Sequence, residues 1–308
     1  MEFYAGLTDY NWYISQKQNN PSEVNFWRPG TTAFKAIKPN DMFLFKLKKP
    51  YYTIVGGGFL VGYSSLPMSL AWEAFGTDNG VSSREEFYRR IKKYKTNNNI
   101  QDGLSNVGCI ILTEPFFFEE KDWIKPMNDW SSNIVTGKKY DIQIGEGKRV
   151  YEEVVSRLNK RRIKTGLSVS LGDTKNSYYE SLTKHRIGQG AFRIIVTDAY
   201  NRRCAISGEK TLPVLEAAHI KAFSQDGPNN VSNGLLLRSD LHKLYDKGYI
   251  TLNTDYVVEV SKSLHEDYGN GKMYYEYHGK KLTVMPDDES FYPNKEYLEW
   301  HNTEVYKN

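Results

Sequence analysis

The sequence predicts an α+β protein of two domains, and three observations carry that prediction. The first half alternates short aromatic or branched runs with Gly, Pro, Asn and Asp, the pattern of a small β-barrel with inserted helices. Composition then shifts to a basic run and a small polar tract over residues 156–185. Beyond it, residues 200–248 form a strand, loop and helix unit with a histidine on the strand, an asparagine in the loop and a histidine on the helix. A length of 308 residues suits two domains. We place them at 1–158 and 186–308, joined by a basic and polar linker over 159–185.

In the first domain, strands are expected at Phe3 to Leu7, Met42 to Lys46, Tyr52 to Val55, Gly58 to Tyr63 and Val107 to Leu112. Gly56, Gly57 and Gly58 should break or bulge a strand where backbones come close. Phe26 to Gly30 reads as a loop bearing two aromatics. Helices are expected at Leu70 to Phe75 and Ser83 to Tyr94. In the second, Phe87, Ile91 and Tyr94 face inward, and Glu86, Arg89, Arg90, Lys92 and Lys93 face water.

The composition shift opens on the basic run Arg157 to Lys164, which runs into the linker. Gly188, Gln189 and Gly190 then precede a helix over Ala191 to Tyr200. Lys184, Arg186, Arg193, Arg202 and Arg203 cluster around that entry, as phosphate contacts would. His219 ends a short strand. His242 shares a buried helical spacing with Leu237, Leu241, Leu244 and Tyr245. Ser239 and Asp240 are candidate caps for that helix, and Gly248 closes it. A hairpin over Asn253 to Asp255 and a closing amphipathic helix at 294–306 complete the chain. His185, His265, His278 and His301 lack partner spacing and read as structural or surface residues.

Two cysteines, Cys109 and Cys204, exclude a disulfide scaffold and a Cys-x-x-Cys zinc knuckle, so no structural zinc is expected. No apolar run approaches membrane-spanning length, and the first residues lack a signal-peptide pattern, so the expected location is the cytoplasm. A net charge of +4 is compatible with a nucleic-acid partner without requiring one.

The strand, loop and helix unit suits phosphodiester hydrolysis. A neutral imidazole takes a proton from water near pH 7. A second imidazole can ligate a divalent metal, which neutralises charge on the scissile phosphate. An asparagine amide can orient the base or the metal. On these residues, and on Asn-Gly-Leu-Leu-Leu-Arg-Ser-Asp-Leu-His at 233–242, the segment resembles the HNH (ββα-metal) endonucleases of the restriction type. The resemblance implies that His219 is the general base, Asn233 the middle asparagine and His242 the metal-side residue, with one Mg²⁺ or Mn²⁺ ion. Many HNH domains carry a second metal ligand just before the catalytic histidine; here that position is Ala218. Glu216 and Asp246 are the available helpers, the latter four residues beyond His242 on one helix face.

The text from Phe26 to Ile91 is similar to the PUA superfamily, which includes the EVE, YTH and SRA base-binding barrels. It is so through Ile37 to Asp41 entering a strand, through Ile54 to Gly58, and through the aromatic loops. That resemblance implies an aromatic pocket for a modified or flipped base, with Trp12 and Trp27 as candidates and Trp72 a poorer one. Together the two halves resemble modification-dependent restriction enzymes. The implied partner is double-stranded DNA carrying a modified base, with no membrane partner and a homodimer left open. Two other readings stand beside it: an inactive nucleic-acid binder, suggested by Ala218, and an RNA-directed nuclease.

Overall fold

The computed structural model describes residues 1–97, 105–164 and 187–307, with the backbone alone at 161–164. The chain divides into two compact units, Met1–Arg186 and Ile187–Asn308.

The first unit is built on one mixed sheet. Its elements are β1 (Glu2–Thr8), α1 (Tyr10–Asn19), β2 (Glu23–Arg28), β3 (Met42–Leu47), β4 (Ile54–Pro67), α2 (Met68–Phe75), α3 (Arg84–Asn97), β5 (Asn106–Phe117), β6 (Gly137–Asp141) and α4 (Gly145–Lys164). The strand order is β2-β5-β4-β3-β1-β6, with β1 parallel to β3. The α+β class is as expected. The expected barrel is not closed: among the described residues the sheet is open, with β2 and β6 at its edges.

Both faces of the sheet are covered, and β3 shows how. Met42 and Leu44 point into a core with Phe3, Ile54 and Val150 and Val154 of α4. Phe43, Phe45 and Leu47 point into the opposite core, with Trp12 and Tyr13 of α1 and with Val24 and Val55. The period of two in β3 therefore serves two apolar layers, which is why that run shows no polar face. Lys46 falls on the first face, where its ammonium lies 3.3 Å from the Tyr52 ring centre and 4.6 Å from that of Trp130.

Three sequence expectations change here. The two strands expected at 52–55 and 58–63 are parts of the single strand β4. Its register shifts around Gly57 and near Leu60. The glycines are needed for closeness: a Cβ on Gly56 would lie 2.1 Å from the Phe116 carbonyl oxygen. Phe26 and Trp27 lie in β2, paired with Ile110 and Cys109 of β5, rather than in a loop. Helix α4 runs on through the expected boundary at 158, so the basic run is helical to Lys164. The rest of the expected linker, 165–185, lies outside the described residues, as do His185, Lys184 and Arg186.

The second unit contains α5 (Gln189–Ala199), β7 (Leu215–His219), β8 (Gly234–Arg238), α6 (Ser239–Asp246), β9 (Ile250–Leu252), β10 (Val258–Val260), α7 (Ser263–Tyr268), α8 (Lys272–Tyr275) and α9 (Lys295–Glu304). β7 and β8 pair antiparallel, and β9 and β10 form the expected hairpin. Leu235, Leu236 and Leu237 are all fully buried, so β8 is covered on both faces, by Phe192 and Val196 of α5 among others. Leu241 and Tyr245 anchor α6 in the same core. The expected cap by Ser239 or Asp240 is absent. Arg238 holds the N-cap position, and Asp240 grips its guanidinium through two bonds of 2.6 and 2.8 Å. Gly248 follows α6 with φ +73°, a conformation that glycine adopts without strain.

Candidate active site

The antiparallel register sets the site. Gly234 stands opposite His219, and Leu237 opposite Glu216. This brings the end of β7 beside the start of α6, which carries His242.

His242 lies between two carboxylates. Its Nδ1 is 2.7 Å from Glu216 Oε2, and its Nε2 is 3.3 Å from Asp246 Oδ2. Burial pulls the His242 pKa down, but hydrogen bonds and charge from Asp246 and Glu216 outweigh it, and the net direction is up. Glu216 thus places a carboxylate against His242 from the same strand that carries Ala218. Ala218 itself is fully buried in the core.

His219 is half-buried and lies flat on Phe192 of α5, with ring centres 4.0 Å apart and planes 10° apart. Its Nε2 is 2.7 Å from Asn229 Oδ1. Burial is the main cause holding its pKa below the ordinary imidazole value. The His242 charge adds to this, while Asn229 and Asp246 oppose it. His219 is therefore poised in its neutral form at pH 7.

Asn233 touches neither histidine through its amide. It is fully buried. Its Nδ2 donates to the carbonyls of Lys221 and Pro228 at 3.0 and 2.9 Å, and its Oδ1 accepts from the Lys221 N–H at 2.8 Å. The expectation that this amide orients the base or a metal directly is corrected: it closes the base of the loop over 221–233. Gly234 follows because a Cβ there would lie 2.5 Å from Val196 Cγ2 and 3.2 Å from the Phe192 ring that supports His219. Asn229, which does reach His219, was not singled out in the sequence. The only available signal was the doubled Asn229-Asn230 four residues before Asn233.

Of the basic residues expected near phosphate, Arg202 pairs with Asp198 at 3.0 Å, and Arg203 Nε lies 3.5 Å from the Gly208 carbonyl oxygen. Arg193 lies on α5 and is half-buried. His301 is structural as expected. It is buried against Tyr245, with ring centres 3.8 Å apart, and its two nitrogens face Thr251 Oγ1 and the Tyr245 carbonyl.

No group of three or more His, Cys, Asp or Glu side chains among the described residues is arranged to hold a metal ion. Glu216 and Asp246 stand on opposite nitrogens of one imidazole, so a single ion would share His242 with one of them. A sparse set of one imidazole and one carboxylate fits Mg²⁺ or Mn²⁺. Such ions keep several waters and take further oxygens from phosphate.

The first unit carries an open cavity of about 1290 Å³ lined by Tyr10, Trp12, Trp27, Tyr94, Lys48 and Arg90 among others. Trp12 is only 5% exposed and packs edge-to-face with Phe26 and Phe45, so it offers no free face for stacking. Trp27 is half-buried, tied by Nε1 to the Asn79 carbonyl at 2.9 Å, and keeps surface on the cavity. Trp72 packs near Phe87 and does not line it. On one wall Asp9 accepts from Lys48 Nζ at 3.0 Å and from the Tyr94 hydroxyl at 3.2 Å.

Residues 204–253 match the HNH_2 family model, an HNH endonuclease. The matched segment contains His219, Asn233 and His242. No curated protein matches the sequence. Among solved structures, the ASCH protein of Zymomonas mobilis is similar at 8% identity and a TM-score of 0.32, over 49% of this chain and 94% of its own. The modification-dependent restriction endonuclease TagI is similar at 12% identity and a TM-score of 0.28, over 92% of this chain and 75% of its own. Identities and scores at this level place no function on the chain. No described helix is long and apolar enough to cross a membrane.

Proposed function

We propose that this protein is a metal-dependent DNA endonuclease of the modification-dependent restriction type. The observation that carries the nuclease reading is the convergence of Glu216, His242 and Asp246 beside a neutral, half-buried His219, within the segment that matches the HNH family. His219 acts as general base and takes a proton from the attacking water. His242, with Glu216 or Asp246, would hold Mg²⁺ or Mn²⁺. When bound, that ion stabilises charge on the scissile phosphate and the leaving oxygen. Arg193, Arg202 and Arg203 flank the unit and contribute positive charge toward the DNA backbone. The Glu216 contact favours an active enzyme over an inactive binder, because the carboxylate absent at Ala218 is supplied two residues earlier.

The cavity of the first unit supports recognition of a modified base. Its volume exceeds the roughly 300–1,000 Å³ usual for small-molecule pockets, which leaves room for a base with its sugar and phosphate. Trp27 and Tyr94 offer aromatic surface, and the ion pairs Lys48–Asp9 and Arg90–Glu86 place polar groups on or beside its wall. The test is binding of the full chain to duplexes with and without modified cytosine or adenine, at one salt concentration. Trp27→Ala should weaken binding of the modified duplex by the ~1–3 kcal/mol of a lost stacking contact, and that of the unmodified duplex less. Equal losses on both would remove Trp27 from base recognition.

A further inference from the structure

We propose that Asn229 is the positioning residue of the general base: it holds His219 as the Nε2–H tautomer and leaves Nδ1 as the atom that accepts the proton. This rests on the reading of His219 as the general base. The argument runs through hydrogen-bond polarity. The Ile187 carbonyl oxygen can only accept, and it lies 2.7 Å from Asn229 Nδ2. The amide nitrogen of Asn229 must therefore face Ile187, and its oxygen must face His219. A carboxamide oxygen also only accepts, so the 2.7 Å contact requires a proton on His219 Nε2. In a neutral imidazole the lone pair then sits on Nδ1. No hydrogen bond to Nδ1 is formed among the described residues, so that nitrogen is available to a water.

Two further contacts make the arrangement rigid. The Phe192 ring fixes the plane of the imidazole from one side. The backbone on either side of Asn229 is held by Asn233. Its Nδ2 bonds the Pro228 carbonyl at 2.9 Å, and its backbone N–H bonds the Asn230 side chain at 2.9 Å. The buried asparagine of the motif thus reaches the base through Asn229 rather than directly. A carboxylate at 229 would lose the bond to Ile187, since two acceptors would meet. Its charge would also add to that of Asp246 in favouring imidazolium, against the His242 charge that opposes it.

The experiment uses the full-length protein with ¹⁵N-labelled histidine. Long-range ¹⁵N–¹H correlations report which ring nitrogen carries hydrogen, and His219→Ala assigns the signal. The wild-type chain should show a protonated Nε2 and an unprotonated Nδ1 near neutral pH. Asn229→Ala should show mixed tautomers and a kcat for DNA cleavage lower by roughly 10–100-fold with KM unchanged, the usual loss for an outer-shell hydrogen bond. Asn229→Asp should keep the Nε2 proton and move the acidic limb of the kcat profile to higher pH, with activity partly recovered above it. A wild-type signal protonated at Nδ1 would overturn the assignment even if neither variant folded. So would Asn229→Ala with unchanged tautomer and kcat. Continued cleavage by His219→Ala is a separate outcome: it removes the general-base reading while leaving the tautomer measurement intact.

Discussion

Glu216 Oε2 lies 2.7 Å from Nδ1 of His242, joining the first strand of the site to its helix. That contact makes proton and metal competitors. His242 has a raised pKa because of Asp246 and Glu216, despite burial. Below that pKa it is imidazolium and has no lone pair for a metal. Mn²⁺ affinity measured by calorimetry should therefore fall as pH is lowered, and the fall should begin above the ordinary imidazole value of ~6.5. Glu216→Gln should weaken binding at high pH, where a ligand is lost, and move the fall in affinity to lower pH, because His242 then loses a carboxylate that raises its pKa. His242→Ala should leave cleavage starved of metal. Full cleavage by the wild-type chain in excess chelator would sink the metal reading.

His219→Ala should slow cleavage by about 10²–10⁴-fold, the usual contribution of a general base. Circular dichroism and DNA affinity should stay near wild type, because the ring is half-buried and its loss exposes little core. Near-normal turnover by the folded variant would exclude His219 from the chemistry.

Asn233→Ala should behave differently, losing stability and activity together. The substitution removes three hydrogen bonds, from the Lys221 N–H and to the Lys221 and Pro228 carbonyls, at half-buried backbone. A lost hydrogen bond costs about 0.5–1.5 kcal/mol, so a loss of roughly 2 kcal/mol or more is expected from denaturant titration. A variant as stable as wild type but inactive would point instead to a direct role in the reaction.

His301 sets an acid limit on the second unit. Burial lowers its pKa to about 4. The unfolded chain then holds the proton more tightly, so stability is complete above the ordinary imidazole value of ~6.5 and falls as pH descends toward 4. The full difference is roughly 3 kcal/mol. His301→Gln should flatten that slope of stability against pH; an unchanged slope would assign it to other groups.

The sequence made the two catalytic candidates visible because their elements are local. A strand, a turn-rich loop and a helix of amphipathic spacing place His219 and His242 within 24 residues of each other. The partners of Asn233 are not legible in the sequence, because an amide's partners depend on the path of a loop, which periodicity does not describe. Asn229 escaped notice for a related reason: its anchor, Ile187, lies 42 residues earlier in the chain. In the first unit, Phe26 and Trp27 read locally as a loop because Pro29 and Gly30 follow closely. Their pairing with β5 lies more than 80 residues away in sequence and outweighs that local signal. The barrel expectation failed at closure, since strand number and length do not say whether the edges meet.

The clamp by Asn233 also divides the catalytic loop into a fixed part and a free part. Lys221 and Pro228 are tied to its amide, and a Cβ on Gly227 would lie 1.9 Å from the Lys221 carbonyl oxygen, so the neck of the loop is closed tightly. The turn beyond that neck, which carries the exposed Phe223, begins and ends at one point in space. Closing a longer excursion between fixed ends costs only about 0.6 kcal/mol for each doubling of its length. The tip from Phe223 to Asp226 is thus where this chain can gain or lose residues, and with them surface contacts, without disturbing the histidine next to it.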